Sequence, residues 1–340
     1  MAAYTTIDNP ALYFQTKLYT GNGSAQSITL DGDEDMQPDL VWFKKRSSTE
    51  SHYVYDAVRG VTKEMYANST AAEDTDANSL TGFNSDGFSI GNANQLSESN
   101  ETMVAWCWKE SATAGFDIVG YTGNGSNRTI SHSLSAVPHV KIVKSRGGVY
   151  GWQVYHHKNT SAPETDYLEL AKDDATADNA TSWNDTAPTS SVFSLGTTDA
   201  INKNTITHIA YCWAEKQGFS KFGTYTGNGN ADGTFIHTGF RVAWLMVKRS
   251  DNSSAGEWIV FDNKRGANTY NPVDIVLCAS NAQTEADWGT NYDCDFTANG
   301  FKWRWNGSAD RCNGNNNTYV YMAFAEAPFV NSNGVPGNAR

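Results

Sequence analysis

Carboxylates and histidines are the groups that chemistry would need first, and their spacing in this chain is informative. Asp31-Gly-Asp33-Glu-Asp35 sets carboxylates on alternate residues, as oxygen-ligating calcium loops do. The twelve-residue template then fails, because Met36 stands where its glycine belongs and Trp42 where its bidentate glutamate belongs. An acidic turn open to an adventitious calcium ion remains. The seven histidines are His52, His132, His139, His156, His157, His208 and His237. His156-His157 is the densest pair, but neighbours on a strand face opposite ways and do not converge on a metal. No HExxH, GxSxG or Walker sequence is present. The expectation is a protein without catalytic, cofactor-binding or metal-ligating residues, and so not an enzyme.

The elements that would position these groups recur. Tyr-Thr-Gly-Asn-Gly occurs at Tyr19–Gly23, Tyr121–Gly125 and Tyr225–Gly229, starting 102 and then 104 residues apart. Asn-Gly tolerates positive φ at both positions and is a strong hairpin signal. A phosphate-binding role is disfavoured, since no Lys-Ser/Thr follows.

About twenty residues later comes an apolar run ending in basic residues, namely Leu40–Arg46, Val140–Arg146 and Ala243–Arg249. Such runs read as buried strands. Lys44, Lys144 and Lys248 fall in register, as charges closing each strand. A second strand follows a turn, at His52–Asp56, Trp152–His156 and Trp258–Asp262, and predicts a hairpin with Tyr55, Tyr155 and Phe261 on one face. Asp56…Arg59-Gly60 and Asp262…Arg265-Gly266 then read as exposed turn braces worth at most about 1 kcal/mol. Between them in the series, His156-His157-Lys158 takes the place of the clip.

Long polar stretches such as Asn68–Ser79 and Ala171–Ser191 read as surface loops. The closing strands are Val104–Trp108, Ile209–Trp213 and Val320–Phe324. Trp108, Trp213 and Phe324 share a face with Trp106, Tyr211 and Met322, as core in preference to a sugar-stacking platform. Glu215 and Glu326 align after the last of these strands, with Lys109 near the corresponding place. Paired carboxylates could serve glycoside hydrolysis, though an acid duplicated in part of a series would be unusual.

These landmarks predict an all-β chain of three tandem β-sandwich or barrel-like repeats of ~100 residues, with long polar loops, almost no helix and a separate core in each repeat. The divisions are an arm at 1–17, repeats at 18–112, 113–217 and 218–327, and a tail at 328–340. The arm is read as a device for docking onto a particle.

A net charge of −12 disfavours nucleic acid as a partner. No apolar stretch is long enough to insert in a membrane, and Met1-Ala-Ala-Tyr-Thr-Thr lacks the apolar core of a signal peptide. Synthesis in a cytoplasm is expected. Of five cysteines, Cys107 and Cys212 read as buried hydrophobes. Cys278, Cys294 and Cys312 leave room for one disulfide, although reduced thiols are the expectation.

The order Tyr-Thr-Gly-Asn-Gly, Pro38-Asp-Leu-Val-Trp, Asp56-Ala-Val-Arg-Gly, Asn84-Ser-Asp-Gly-Phe and Ala105-Trp-Cys-Trp-Lys, with the ending Ala325–Arg340, resembles a repeat of marine bacteriophage (cyanophage) structural proteins of the tail-fibre-like kind. The middle repeat departs most, keeping the opening turn and the Cys-Trp strand. The resemblance implies a virion component made in the host cytoplasm, with other virion proteins and copies of itself as partners. A trimer is the usual state of phage fibres, and a host-surface glycan is a further partner of such a fibre. It carries over no catalytic residue. A carbohydrate-binding or carbohydrate-cleaving module is the alternative, with aromatic rings to stack on sugars and Asn and Asp to bind hydroxyls.

Overall fold

A computed structural model of the chain describes residues 4–254, 256–266, 270–289, 292–304 and 310–338. The ends of the predicted arm and tail, residues 1–3 and 339–340, lie outside them. The fold is nearly all β, with three four-residue helices and one 3-10 turn among the described residues. No described helix is long and apolar enough to cross a membrane.

The first unit contains β1 (Phe14–Thr20), β2 (Gln26–Thr29), β3 (Leu40–Lys45), β4 (His52–Asp56), β5 (Lys63–Tyr66), β6 (Asp74–Thr75), β7 (Leu80–Asn84), β8 (Gly87–Ile90) and β9 (Thr102–Trp108). The second contains β10 (Phe116–Thr122), β11 (Arg128–Ser131), β12 (Val140–Ser145), β13 (Gln153–His156), β14 (Asp166–Glu169), β15 (Ala177–Asp178), β16 (Val192–Leu195) and β17 (Thr207–Trp213). The third contains β18 (Ser220–Thr226), β19 (Phe235–His237), β20 (Phe240–Arg249), β21 (Trp258–Asp262), β22 (Ile275–Cys278), β23 (Ala286–Asp287), β24 (Cys294–Thr297), β25 (Gly300–Trp303) and β26 (Thr318–Pro328). One antiparallel strand order then occurs three times. It is β1-β9-β3-β4-β5-β6, β10-β17-β12-β13-β14-β15 and β18-β26-β20-β21-β22-β23. Each six-stranded sheet is accompanied by a small one, β2-β8-β7, β11-β16 or β19-β25-β24.

The expected hairpins β3–β4, β12–β13 and β20–β21 form. The Tyr-Thr-Gly-Asn-Gly segment does not make one. β1 pairs with β9 whereas β2 pairs with β8, so this turn carries the chain from the large sheet to the small one. Its first glycine is required by a close approach, since a Cβ on Gly21 would lie 2.2 Å from the Glu98 carbonyl oxygen. Its second is required by φ, +74° at Gly23. The tyrosine acts as a clasp. Tyr19, Tyr121 and Tyr225 donate their hydroxyls to the carbonyls of Leu96, Ile201 and Cys312 at 2.9, 2.6 and 2.5 Å.

The core corrects the expectation of separate interiors. Alternation along β3 sends Val41 and Phe43 outward onto the small sheet, with Tyr55, Phe88 and Cys107. The same alternation sends Leu40, Trp42, Val54, Trp106 and Trp108 inward, into one cluster shared by all three units. A large sheet is thus covered on both faces, and its strands read as continuous apolar runs for that reason.

The predicted arm is also corrected. β1 already begins at Phe14, and the residues before it pack on the third unit. Tyr4 donates to the Gly239 carbonyl, Thr5 to Gln217, and Tyr13 meets Phe219 edge-on. Asp8 accepts from the Ser332 N–H at 2.7 Å. The two ends of the chain therefore close a ring of three units.

The Asp-x-x-Arg clips are not exposed braces. Both side chains of Asp56–Arg59 and of Asp262–Arg265 are fully buried, because each clip sits on a seam between units. Asp56 accepts the Tyr211 hydroxyl of the second unit at 2.6 Å, and Asp262 the Trp106 indole N–H of the first at 2.9 Å. The corresponding residue of the third unit is Met322, which has no proton to give. His156 replaces the aspartate there and its Nε2 lies 3.1 Å from the Tyr321 carbonyl, as the N–H donor. A change on one side of the seam is matched by a change on the other.

Two outcomes follow for denaturant unfolding. Asp262→Ala, which strands a buried guanidinium, should cost about 3–5 kcal/mol. His156→Asp should destabilise alone and recover part of the loss when combined with Met322→Tyr; strict additivity in that double-mutant cycle would refute the seam coupling.

Candidate functional site

Lys44, Lys144 and Lys248 are wholly buried. They do not close their strands toward solvent, because the polar stretch of a neighbouring unit folds over them. Lys144 Nζ donates to the Thr70 carbonyl at 2.9 Å and to Tyr150 at 2.5 Å. Lys248 Nζ donates to Asp173 at 3.2 Å and Arg249 at 2.8 Å, and Lys44 Nζ to Lys45 at 2.7 Å. Burial pushes each ammonium down to about 8.

The stretches read as surface loops are thus straps from one unit to the next. Glu73 N–H donates to the Arg146 carbonyl, Thr176 N–H to Ser250, and Glu285 N–H to Arg46. Arg146–Glu73 and Arg46–Glu285 ion pairs, at 2.8 and 2.7 Å, reinforce two of the three. Trp152 and Trp258 add indole donations to the Tyr66 and Glu169 carbonyls of the preceding unit, each at 2.9 Å.

Lys141 is the exception to this pattern of satisfied cations. It occupies the position of Val41 and Leu245, is fully buried, and its Nζ has no hydrogen-bond partner among the described residues. Instead it lies 4.3 Å from the ring centres of Tyr155 and Trp183 and 5.3 Å from Phe193. Burial lowers its pKa to about 7.

The remaining sequence candidates are dispersed. Trp106, Trp108, Tyr211, Trp213, Met322 and Phe324 are at most 4% exposed, so they fill the shared core and offer no platform to a sugar. Asp31 of the acidic turn is ion-paired with Lys17 at 2.5 Å. Among the described residues no three His, Cys, Asp or Glu side chains converge to hold a metal. All five cysteines are buried free thiols, Cys278, Cys294 and Cys312 included. Burial pushes Cys212 and Cys278 up to about 12, far from a thiolate.

Sequence reasoning missed one recurring carboxylate. Glu110, and not Lys109, stands two residues beyond the closing aromatic, as Glu215 and Glu326 do. Glu110 accepts the Ile118 N–H at 3.1 Å and Glu215 the Phe222 N–H at 2.7 Å, in each case on the first strand of the next unit. Glu326 pairs instead with Arg241 at 3.1 Å. At this third seam lies a cleft of about 570 Å³, bordered by Asp8, Thr16, Asp33, Arg241, Lys264 and Glu326. It is the best candidate for a small-molecule site, within the usual size range of ligand pockets.

Residues 9–328 match the family described as Domain of unknown function (DUF7483). No curated protein matches the chain.

The buried lysines fix the sign of one pH effect. Their folded pKa values lie near 7 to 8 and their unfolded value near 10.4. Between these limits the unfolded chain binds more protons, so this contribution to stability rises with pH. From about pH 8.5 the buried cysteines, and from about pH 10 the buried tyrosines, whose pKa values are raised, oppose that rise. The denaturant midpoint should therefore be higher at pH 8 than at pH 7. Lys141→Leu should stabilise the protein at pH 7 by about 1–3 kcal/mol and flatten that rise; a loss of stability on this substitution would contradict the account.

Proposed function

The chain belongs to the DUF7483 family, and we propose that it is a non-enzymatic structural protein of a bacteriophage particle, a tail fibre, appendage or capsid-surface component. Its partners in this reading are other virion proteins, further copies of itself and the host surface. The observation that carries the proposal is the closed ring. Three units with one strand order, strapped to one another in sequence, give a single polypeptide the three-fold shape that fibres obtain from three chains. The ordered motifs that resemble phage structural repeats support the same reading.

The ring is suited to such work. Its three seams are each bridged by a main-chain hydrogen bond and two of them by an ion pair, Arg146–Glu73 and Arg46–Glu285, while its net charge of −12 favours solubility at high local copy number.

Antiserum against the recombinant protein should decorate purified particles in electron micrographs, and its peptides should be found in their digests. Particles that neither bind the antiserum nor contain the peptides would remove the proposal.

A further inference from the structure

The three seams can be compared atom by atom, because their first strands share a register. Phe14 faces Trp108, Phe116 faces Trp213 and Ser220 faces Phe324. Two residues on, Thr16, Ile118 and Phe222 are therefore equivalent, and each is on an edge strand paired on one side. The N–H groups of Ile118 and Phe222 point out of the sheet and are met by the Glu110 and Glu215 carboxylates. The same register aims the Thr16 N–H outward, and no side chain accepts it among the described residues. Thr16 Oγ1, in a residue only 6% exposed, also has no partner.

The reason lies in the chain's connectivity. After β9 and β17 the chain leaves for the next unit, and the glutamate swings onto the strand it is about to form. At the end of the third unit the closing strand itself continues. β26 runs eleven residues against seven in β9 and β17, and pairs through Pro328 with a ten-residue β20. Glu326 is held in this extension opposite Arg241, and the cleft opens between it and Thr16.

We infer that this cleft binds a sugar acid, whose carboxylate takes at Thr16 the place that Glu110 and Glu215 take at the other seams. The Thr16 N–H and hydroxyl are the donors for one carboxylate, and Lys264, which has no ion-pair partner among the described residues, supplies charge at the rim. The acidic borders suit a hydroxylated body. Asp31 is already neutralised by Lys17 and Glu326 by Arg241, and Asp8 is held by Ser332, while Asp33 presents oxygens that accept sugar hydroxyls. This inference is independent of whether the chain is mounted on a particle.

The test is titration of the full chain with sodium glucuronate, glucose and sodium acetate, followed by calorimetry and by amide shifts at Thr16. Glucuronate should bind saturably and about tenfold more tightly than glucose, with acetate competing. Thr16→Val should weaken glucuronate about tenfold at an unchanged melting temperature, and Thr16→Ser should restore it. Glu326→Gln, which removes the internal competitor, should leave binding equal or tighter. Glucose binding as well as glucuronate, no saturable binding of either, or indifference to Thr16→Val would each overturn the assignment.

Discussion

Covering both faces of each large sheet is the constraint from which the architecture follows. Val41, Phe43 and Tyr55 on one face are covered by the unit's own small sheet. Leu40, Trp42, Trp106 and Trp108 on the other face have no second sheet of their own unit over them and join a cluster with inner-face residues of the other two units. Apolar burial of this extent is the largest favourable contribution to folding. It can be complete for all three sheets only if the units close on one another. The ring is a consequence of the hydrophobic pattern before any polar contact is considered.

Closure then imposes a second requirement, since polar groups on the seams lose water. Most of those that the seams share have been given a specific partner. The clip aspartates take a donor from the following unit, the seam tryptophans give their N–H to a carbonyl of the preceding one, and the buried lysines cap carbonyls. His52, at the position of Trp152 and Trp258, accepts the Trp42 indole N–H at Nδ1 at 3.0 Å. Its Nε2 lies beside the Cys278 carbonyl without the geometry of a full hydrogen bond. Departures from strict repetition follow the same rule. Where Met322 removes a donor, His156 brings its own.

The sequence disclosed what depends on neighbouring residues. Strands were legible in runs of β-branched and aromatic residues, faces in their alternation, and turns in Gly23, Gly125 and Gly229. It concealed what depends on distance along the chain. Asp56 and Tyr211, or Trp106 and Asp262, are about 155 residues apart, and nothing in the spacing of Asp56 and Arg59 distinguishes an exposed brace from a buried clip. Lys44, Lys144 and Lys248 were visible as a register but not as buried groups, because their cover comes from another unit's polar strap. Glu110 was hidden by comparison with its neighbour Lys109, although counting from Trp108 would have found it. The cleft had no sequence signal of its own. It is the difference between three similar environments, visible only when they are superposed.

That difference is not incidental to a ring made from one chain. Two seams are crossed by the polypeptide and the third cannot be, so the linker that seals the first two must be replaced. Here residues 4–13 provide the replacement, with Tyr4, Thr5 and Tyr13 reaching the third unit. The substitute restores the apolar packing but not the carboxylate that caps the edge strand, because Glu326 belongs to a strand that continues instead of turning away. At the other seams, Glu110 and Glu215 are tied to closing the ring. At the third, Thr16, Arg241 and Glu326 are released from that duty. Residues freed in this way can acquire a ligand without loss of the fold, which makes the broken point of the symmetry the natural place for a function to arise.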